Sequence, residues 1–512
     1  MSEKTNAMQK KPPYGMIAIL FIGAFVAILN ETLLNVALPS IMEEFDVNAT
    51  TVQWLSTGYM LINGILIPAS AFFIQRFTDK KLFITAMLLF TLGTLLASIA
   101  PAFGVLLGAR MIQASGSAIM MPLLMNVMLT AFPVEKRGTA MGMFGLVMIT
   151  APAIGPTLSG WLIEHYSWRM LFDLVLPIAV VTLIFAVFKL KDVTPQRAIK
   201  LDFMSLVLSS IGFGGLLYGF SSAGEKGWDS PLVYGTIIIG ALALISFIVR
   251  QLRMDDPMLE FRIYKYPMFA LSSAISIVIA VAMFSAMILM PIYVQTIRGI
   301  SPMESGLLML PGAIVMGIMS PITGKLFDKY GARILAVSGL TITVVTSYYF
   351  SKIGMNTAYS TLVLLYTFRM FGMSMVMMPV MTNGLNQLPA INNPHGTAMN
   401  NTLQQVSGAI GSALLITVMN NRTTVKAEEL AADAMANLSA NAAQPSAQAT
   451  AELQQQIMNE AMLHGINFTF FISTLIAVIA LILAFFIKRV KPNHEDKTDE
   501  EAVVKPLDID TE

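Results

Sequence analysis

The segment Gly145–Gly160, GLVMITAPAIGPTLSG, decides how this chain is read. It lies inside an apolar stretch long enough to cross a bilayer, yet it holds two prolines four residues apart, Pro152 and Pro156. A proline removes a backbone donor and clashes with the preceding turn, so a helix of this sequence is expected to bend. Ala151, Gly155 and Ser159 follow one helix face at a spacing of four, with Gly160 beside them. Lipid gives no hydrophobic push between helices, so small residues at this spacing let a second helix approach closely. The segment reads as a joint between two moving parts. An ordinary kinked packing helix is the alternative. The surface expected opposite Gly155 is the small face of the tenth span, Ala313 and Gly317.

Of the 512 residues, 55% are hydrophobic and 12% charged, against about 25% charged in a soluble chain. This is the composition of a polytopic membrane protein. The absence of cysteine excludes disulfides, thiol catalysis and cysteine metal sites. The four histidines, His165, His395, His464 and His494, fall in loops, at helix ends or in the tail, so no metal centre or other cofactor is expected. No basic stripe suggests nucleic acid and no phosphate-binding loop suggests ATP. Lys4, Lys10 and Lys11 precede an apolar run from about Tyr14 that is too long for a signal-peptide core, so it reads as a retained first span.

A spanning helix needs about 20 apolar residues. Fourteen spans are predicted: 14–38, 51–74, 81–100, 102–130, 138–163, 168–189, 203–223, 231–251, 267–297, 303–325, 332–352, 359–388, 396–420 and 464–488. With the N-terminus inside, the outer loops hold only Lys226, Arg298, Lys352, Arg422 and Lys426 of the 32 basic residues, and nearly all the rest lie inside. A missed or extra helix would scramble that asymmetry, so both termini are expected in the cytoplasm. The expected organisation is a tail (1–13), a six-helix half (14–190), an inserted pair (200–255), a second six-helix half (265–490) and an acidic, disordered tail (491–512). The outer loop 421–463 shows helical spacing on both sides of Pro445. It reads as a helical hairpin, with a disordered loop as the alternative.

Two inner loops repeat weakly. AFFIQRFTDKKLF (71–83) follows the second span and GKLFDKYGAR (324–333) the tenth. The second copy supplies Gly324, Asp328, Lys329, Gly331 and Arg333. The first keeps Arg76 and Lys80, with Gln75 at the aspartate position and Thr78 at a glycine position. Such loops can lock helices by charge and by caps at helix ends; a loop basic only for topology is the alternative.

Glu31, in FVAILNETLLNVALP, stands about two turns from the predicted outer end of the first span. A charge at that depth costs roughly 2.5 kcal/mol or more, so it faces a cavity or a partner. It can carry a proton and act as counter-charge to a cationic substrate; a structural pair with a fixed arginine is the alternative. Arg110 in the fourth span is a second candidate, able to sense the charge of a nearby carboxylate, or else a structural arginine bonded to carbonyls. Arg369 stands at the matching place in the twelfth span. Asp173 follows Arg169 by four residues, a spacing that suits an ion pair and, failing that, a second proton site. Trp168 before them reads as an interface anchor. Asn30, Asn35, Asn63, Gln113, Gln295, Asn400 and Gln404 are polar residues placed to line a wet cavity, or to bond between helices. Methionine is frequent, at 38 residues, and suits adaptable binding surfaces.

These motifs together resemble the fourteen-helix drug:proton antiporters of the major facilitator superfamily, the EmrB/QacA group, and within it the lincomycin-resistance type. In that group's first helix an aspartate precedes x-T-x-x-N-V-A-L-P. Thr32, Asn35, Val36, Ala37, Leu38 and Pro39 match, Asn30 stands at the aspartate, and Glu31 is its neighbour, about 100° around the helix. Arg110, Gln113 and Gly116 resemble the fourth-helix motif, whose arginine is associated with proton coupling. Gly145–Gly160 resembles the fifth-helix antiporter signature, SWRMLF (167–172) the start of the sixth helix, and GKLFDKYGAR the loop motif.

The resemblance implies an all-α major facilitator fold in a bacterial cell membrane. It further implies export of amphipathic drugs by alternating access, driven by proton entry, through a functional monomer whose partners are small molecules, protons and lipid. Two other readings stay open: a proton-coupled exporter of one metabolite or lipid-like compound on the same fold, and a polytopic enzyme or receptor. An enzyme would need an acid, base or nucleophile cluster at the membrane face, and the sequence offers none.

Overall fold

The computed structural model describes residues 14–490 except 48, 195, 198, 200 and 441–446. The two tails and the Pro445 break therefore lie outside the described residues, as do the side chains of Asn35 and Pro156. The chain is all helical: α1 (Tyr14–Phe45), α2 (Ala49–Arg76), α3 (Asp79–Ser98), α4 (Phe103–Ala131), α5 (Arg137–His165), α6 (Met170–Lys189), α7 (Phe203–Lys226), α8 (Pro231–Arg253), α9 (Pro267–Ile292), α10 (Pro302–Tyr330), α11 (Ala332–Phe350), α12 (Tyr359–Ser374), α13 (Met377–Leu385), α14 (Asn393–Ala440) and α15 (Ala447–Ala484). They supply fourteen segments long and apolar enough to span, α12 and α13 sharing one. The face where α1 begins carries most of the loop lysines and arginines and is called the basic face below.

Two local differences from the sequence reading matter. α1 runs through Pro39 to Phe45, so Glu31 lies near the middle of its helix, about four turns from the end. The twelfth span breaks between Ser374 and Met377, and Pro379 then falls in the first turn of α13, where its missing N–H costs nothing. α14 and α15 continue well past the apolar core, and their extensions make the two legs of a hairpin opposite the basic face. There Gly465 packs on the Met419 carbonyl (2.7 Å from a built Cβ), Arg422 stacks on Phe468 at 4.0 Å, and Lys426 pairs with Glu429 at 2.8 Å.

α1 to α6 pack on one another, as do α9 to α15, while α7 and α8 form a close pair bordering α2 and α14. Asp202, just before α7, takes two hydrogen bonds from Arg250 of α8 at 2.6 and 2.9 Å. These bonds hold its carboxyl at about 2, so the clasp stays charged at any neutral or mildly acidic pH. The larger buried apolar cluster fills α1 to α6 and continues at the basic face into Phe269, Met378, Leu385 and Met399. The two groups of helices are thus fused into one core at that face. Among the described residues, every hydrogen bond directly joining the two groups lies toward it.

The tightest joint is α5 on α10. Gly138, Gly142 and Gly145 bring the α5 backbone against Gly324 and Ser320, and a Cβ at Gly142 would stand 2.6 Å from the Ser320 carbonyl oxygen. Ser320 donates to the Gly142 carbonyl at 2.9 Å. Asp328 caps the joint, accepting from the Gly138 and Thr139 backbone N–H groups, both at 2.9 Å, and from the Thr139 hydroxyl at 2.6 Å. A carboxylate there satisfies orphan donors and meets the positive end of the α5 dipole. Gly331 ends α10 at φ 81°, a conformation that favours glycine, and Arg489 covers the last α10 carbonyls at 2.7 and 3.2 Å. Lys329 lies against Tyr330, and Arg333 is exposed.

Replacing Gly142 with Leu is expected to part α5 from α10, because backbone rather than a flexible side chain stands in the way. A cysteine pair placed across the joint in this cysteine-free chain should then cross-link at least tenfold more slowly. Asp328→Ala removes a cap of about 0.5–2 kcal/mol and should lower the thermal unfolding midpoint in detergent, with Asp328→Asn retaining part of the loss.

Candidate functional site

The sequence candidates that converge do so between α1, α2, α3 and α4. α4 meets α3 where glycines remove the side chains: a Cβ at Gly93 would stand 2.6 Å from the Gln113 nitrogen, and one at Gly116 would stand 2.8 Å from the Phe90 nitrogen. This contact sets Gln113, whose amide donates to Thr94 at 2.7 Å and whose oxygen accepts from Arg110 at 2.5 Å. The Arg110 guanidinium lies 4.2 Å from the centre of the Tyr59 ring, a contact worth about 2 kcal/mol when desolvated. Tyr59 donates to Ser117 at 2.8 Å, and Ser117 donates to Asn63 at 3.0 Å. Arg110, Tyr59, Gln113, Asn63 and Ser117 are all buried.

Glu31 completes the group. It is half-buried, and its charge acts on both Arg110 and Tyr59. It forms no direct ion pair among the described residues. Arg110 is therefore held by Gln113 and Tyr59, not by a direct bond to the carboxylate. No other carboxylate among the described residues acts on Arg110. Asn30, at the family's aspartate position, is buried with its amide nitrogen unpartnered.

Other candidates lie elsewhere. Asn400 is buried and Gln404 half-buried four residues on in α14, while Gln295 is exposed in the turn after α9. Arg369 is buried in the second group, bonded to Ser347 and to the Ala282 carbonyl at 2.5 Å, with no carboxylate partner among the described residues. The expected Arg169–Asp173 pair does not form. Arg169 is taken by Glu44 at 2.5 Å and the Ala100 carbonyl at 2.9 Å, while Asp173, exposed on the rim opposite the basic face, accepts from Ser98. Trp168 is not an exposed anchor: it is buried against Phe45 and donates to Glu44 at 2.6 Å. Burial alone would raise the Glu44 carboxyl, but the bonds from Arg169 and Trp168 outweigh it and hold the group below its usual range.

α5 is one helix through both prolines, and its small faces are divided differently from the expectation. Gly155 meets Thr32 of α1, and Ser159 donates to the Leu33 carbonyl at 2.6 Å. Ala151 is buried, Pro152 half-buried, and nothing stands within 4 Å of a Cβ at Gly160. Gly317 of α10 faces Thr150 and Leu146 instead, because the face turned to α10 is the earlier one, Gly138, Gly142 and Gly145. That spacing of four and three is present in the sequence, though no motif marks it. In the first loop, Lys80 gives its backbone N–H to Asp192 at 2.9 Å and Arg76 is exposed. Asp79, which the loop motif does not single out, is buried and accepts from Val193 and Thr194, both at 2.8 Å. Tyr59, Thr94 and Ser117 carry no motif and could not be singled out.

Comparison with known proteins agrees with this architecture. The family model described as Major Facilitator Superfamily matches residues 20–412. An MFS-type transporter of Bacillus subtilis, YhcA, is 50% identical over 96% of both chains. The lincomycin resistance protein LmrB of the same organism is 42% identical over 94% of this chain and 96% of its own. Among solved structures, the human organic anion transporter MFSD10 superposes with a TM-score of 0.63 at 12% identity, covering 92% of this chain and 99% of its own. The chain belongs to the Major Facilitator Superfamily.

Proposed function

We propose that this protein is a multidrug efflux transporter that exchanges protons for amphipathic drugs by alternating access. It works as a monomer in a bacterial cell membrane with the basic face and both termini in the cytoplasm. The observation that carries the reading is Glu31: one carboxylate at membrane depth, half-buried, beside an arginine that other residues already hold. Ionised, Glu31 is balanced by Arg110 and attracts a cationic substrate. Protonated, it leaves Arg110 as the uncompensated charge and repels one. Proton and cation therefore compete for one group, which is the requirement for exchange.

The two groups of helices rock about the α5–α10 joint, and Asn63, Gln113, Asn400 and Gln404 supply the polar lining of the substrate path. Support also comes from LmrB, named for lincomycin resistance, and from a more distant Escherichia coli relative named a probable multidrug resistance protein, EmrY, at 26% identity.

The test is drug-induced proton release from inverted vesicles with a panel of unrelated cationic and neutral compounds. The wild-type protein should transport several of them in mutual competition. Glu31→Gln should cut proton release by at least tenfold at matched expression and unchanged thermal stability. Full release from that variant would remove Glu31 as the carrier and leave Asp173 as the next candidate.

A further inference from the structure

The two basic loops lock the basic face in different ways. In the second copy Asp328 caps the start of α5. In the first copy the matching residue is Gln75, at the end of α2, and it faces the start of α14. There it meets His395, with 3.0 Å between the Gln75 amide and His395 Nε2. His395 is 4% exposed and Gln75 3%. On the other side of the ring, Nδ1 accepts the backbone N–H of Glu260, in the segment between α8 and α9, at 3.2 Å. One imidazole thus pins the first group of helices, the second group and the linker between them.

The bonding fixes the charge state of that imidazole. Both ring nitrogens face N–H donors, the Gln75 amide at Nε2 and the Glu260 backbone at Nδ1, so a neutral ring accepts on one side and a doubly protonated ring on neither. A second proton would therefore set N–H against N–H on both sides of a buried ring. The charged groups around the ring do not welcome it. Arg197, on the α6–α7 connection, bonds Gln75 through its backbone N–H at 2.8 Å and its guanidinium at 3.5 Å, and pairs with Asp256 at 3.3 Å. The Glu260 carboxylate is turned to Arg262, bonding its N–H at 2.9 Å and pairing with its guanidinium at 3.7 Å. Arg76, next to Gln75, is exposed. The charge that acts on the ring is that of Arg197, and it is positive.

We propose that His395 is a proton-sensitive latch of the basic face, closing it only as the neutral imidazole. When α2 and α14 part, the ring meets solvent, where a histidine titrates near about 6.5. A proton gained there must leave before the face can close, so acid on that side holds the protein open toward it. This latch is separate from the proton site at Glu31, which lies on another part of the fold, although it rests on the alternating-access reading above.

The test uses the full chain in lipid nanodiscs. Because the chain has no cysteine, two exposed positions flanking the basic face, Lys81 on α3 and Ile334 on α11, are changed to cysteine and spin-labelled. Their distance distribution is measured at pH 8 and pH 5.5 in a Glu31→Gln background, so that Glu31 does not titrate, and with and without the cationic dye rhodamine 6G at pH 8 in the protein with Glu31 intact. Acid should increase the population of the longer distance by at least fivefold. His395→Gln, neutral at both values, should abolish that response. Gln75→Glu, which sets a carboxylate against the imidazole, should keep the face closed at pH 5.5. An equal acid response in His395→Gln, no response with the native His395, or opening of Gln75→Glu at pH 5.5 would each overturn the latch. If His395→Gln is not recovered folded, the Gln75→Glu arm decides. Separation with dye but not with acid overturns the latch alone, whereas no separation in any arm also overturns alternating access.

Discussion

Everything on the basic face depends on how closely α5 can lie on α10. A helix pair in lipid gains nothing from hiding apolar surface, because lipid is as apolar as the partner; it gains from close backbone contact and from polar bonds made out of water's reach. Gly138, Gly142 and Gly145 supply the first, while Ser320 and Asp328 supply the second. With those helices in register, Phe269, Met378 and Leu385 complete a core that begins in α1, and α13 and α14 are brought against the opposite group.

The same fact orders the rest of the molecule. Toward the opposite face the two groups share no direct hydrogen bonds among the described residues. The polar cluster around Arg110 is built wholly within the first group, by α3 and α4 packed through glycines, so it keeps its internal geometry whatever the second group does. On the exchange reading proposed above, the fixed cation makes the charge of Glu31, and not the position of Arg110, the quantity that changes. In the second group Arg369 is held by Ser347 and a carbonyl with no acid among the described residues, so the two groups share an arrangement of helices but not a chemistry.

The sequence made the spans legible because a bilayer imposes one length and one composition on each, and because lysine and arginine obey a side. It also made Glu31, Arg110 and Asp328 legible, since a charge at membrane depth or in a short loop has few uses. It did not reveal which face of α5 meets which neighbour. Gly155 and Gly142 are equally small, and only the rotation of the helix in three dimensions sends one to α1 and the other to α10. The Arg169–Asp173 expectation failed for a related reason: spacing along one helix says two groups are able to meet, while Glu44 arrives from another helix with better geometry. Tyr59 was invisible because an aromatic residue in a span is ordinarily packing. α1 is longer than the apolar run that predicts its span, because Pro39 ends the run without ending the helix.

α14 is one uninterrupted helix of 48 residues. At 1.5 Å per residue it is a rod of about 72 Å, with His395 in its first turn and the hairpin leg at its far end. A stiff rod pivoting at its base multiplies displacement with distance. A tilt of about 5° moves the tip by about 6 Å over that length, more than one helical turn, while the base shifts by a fraction of an ångström. A rigid α14 would therefore couple the hairpin to the basic face through the backbone itself, turning a small tilt at one side of the membrane into a displacement of several ångströms at the other.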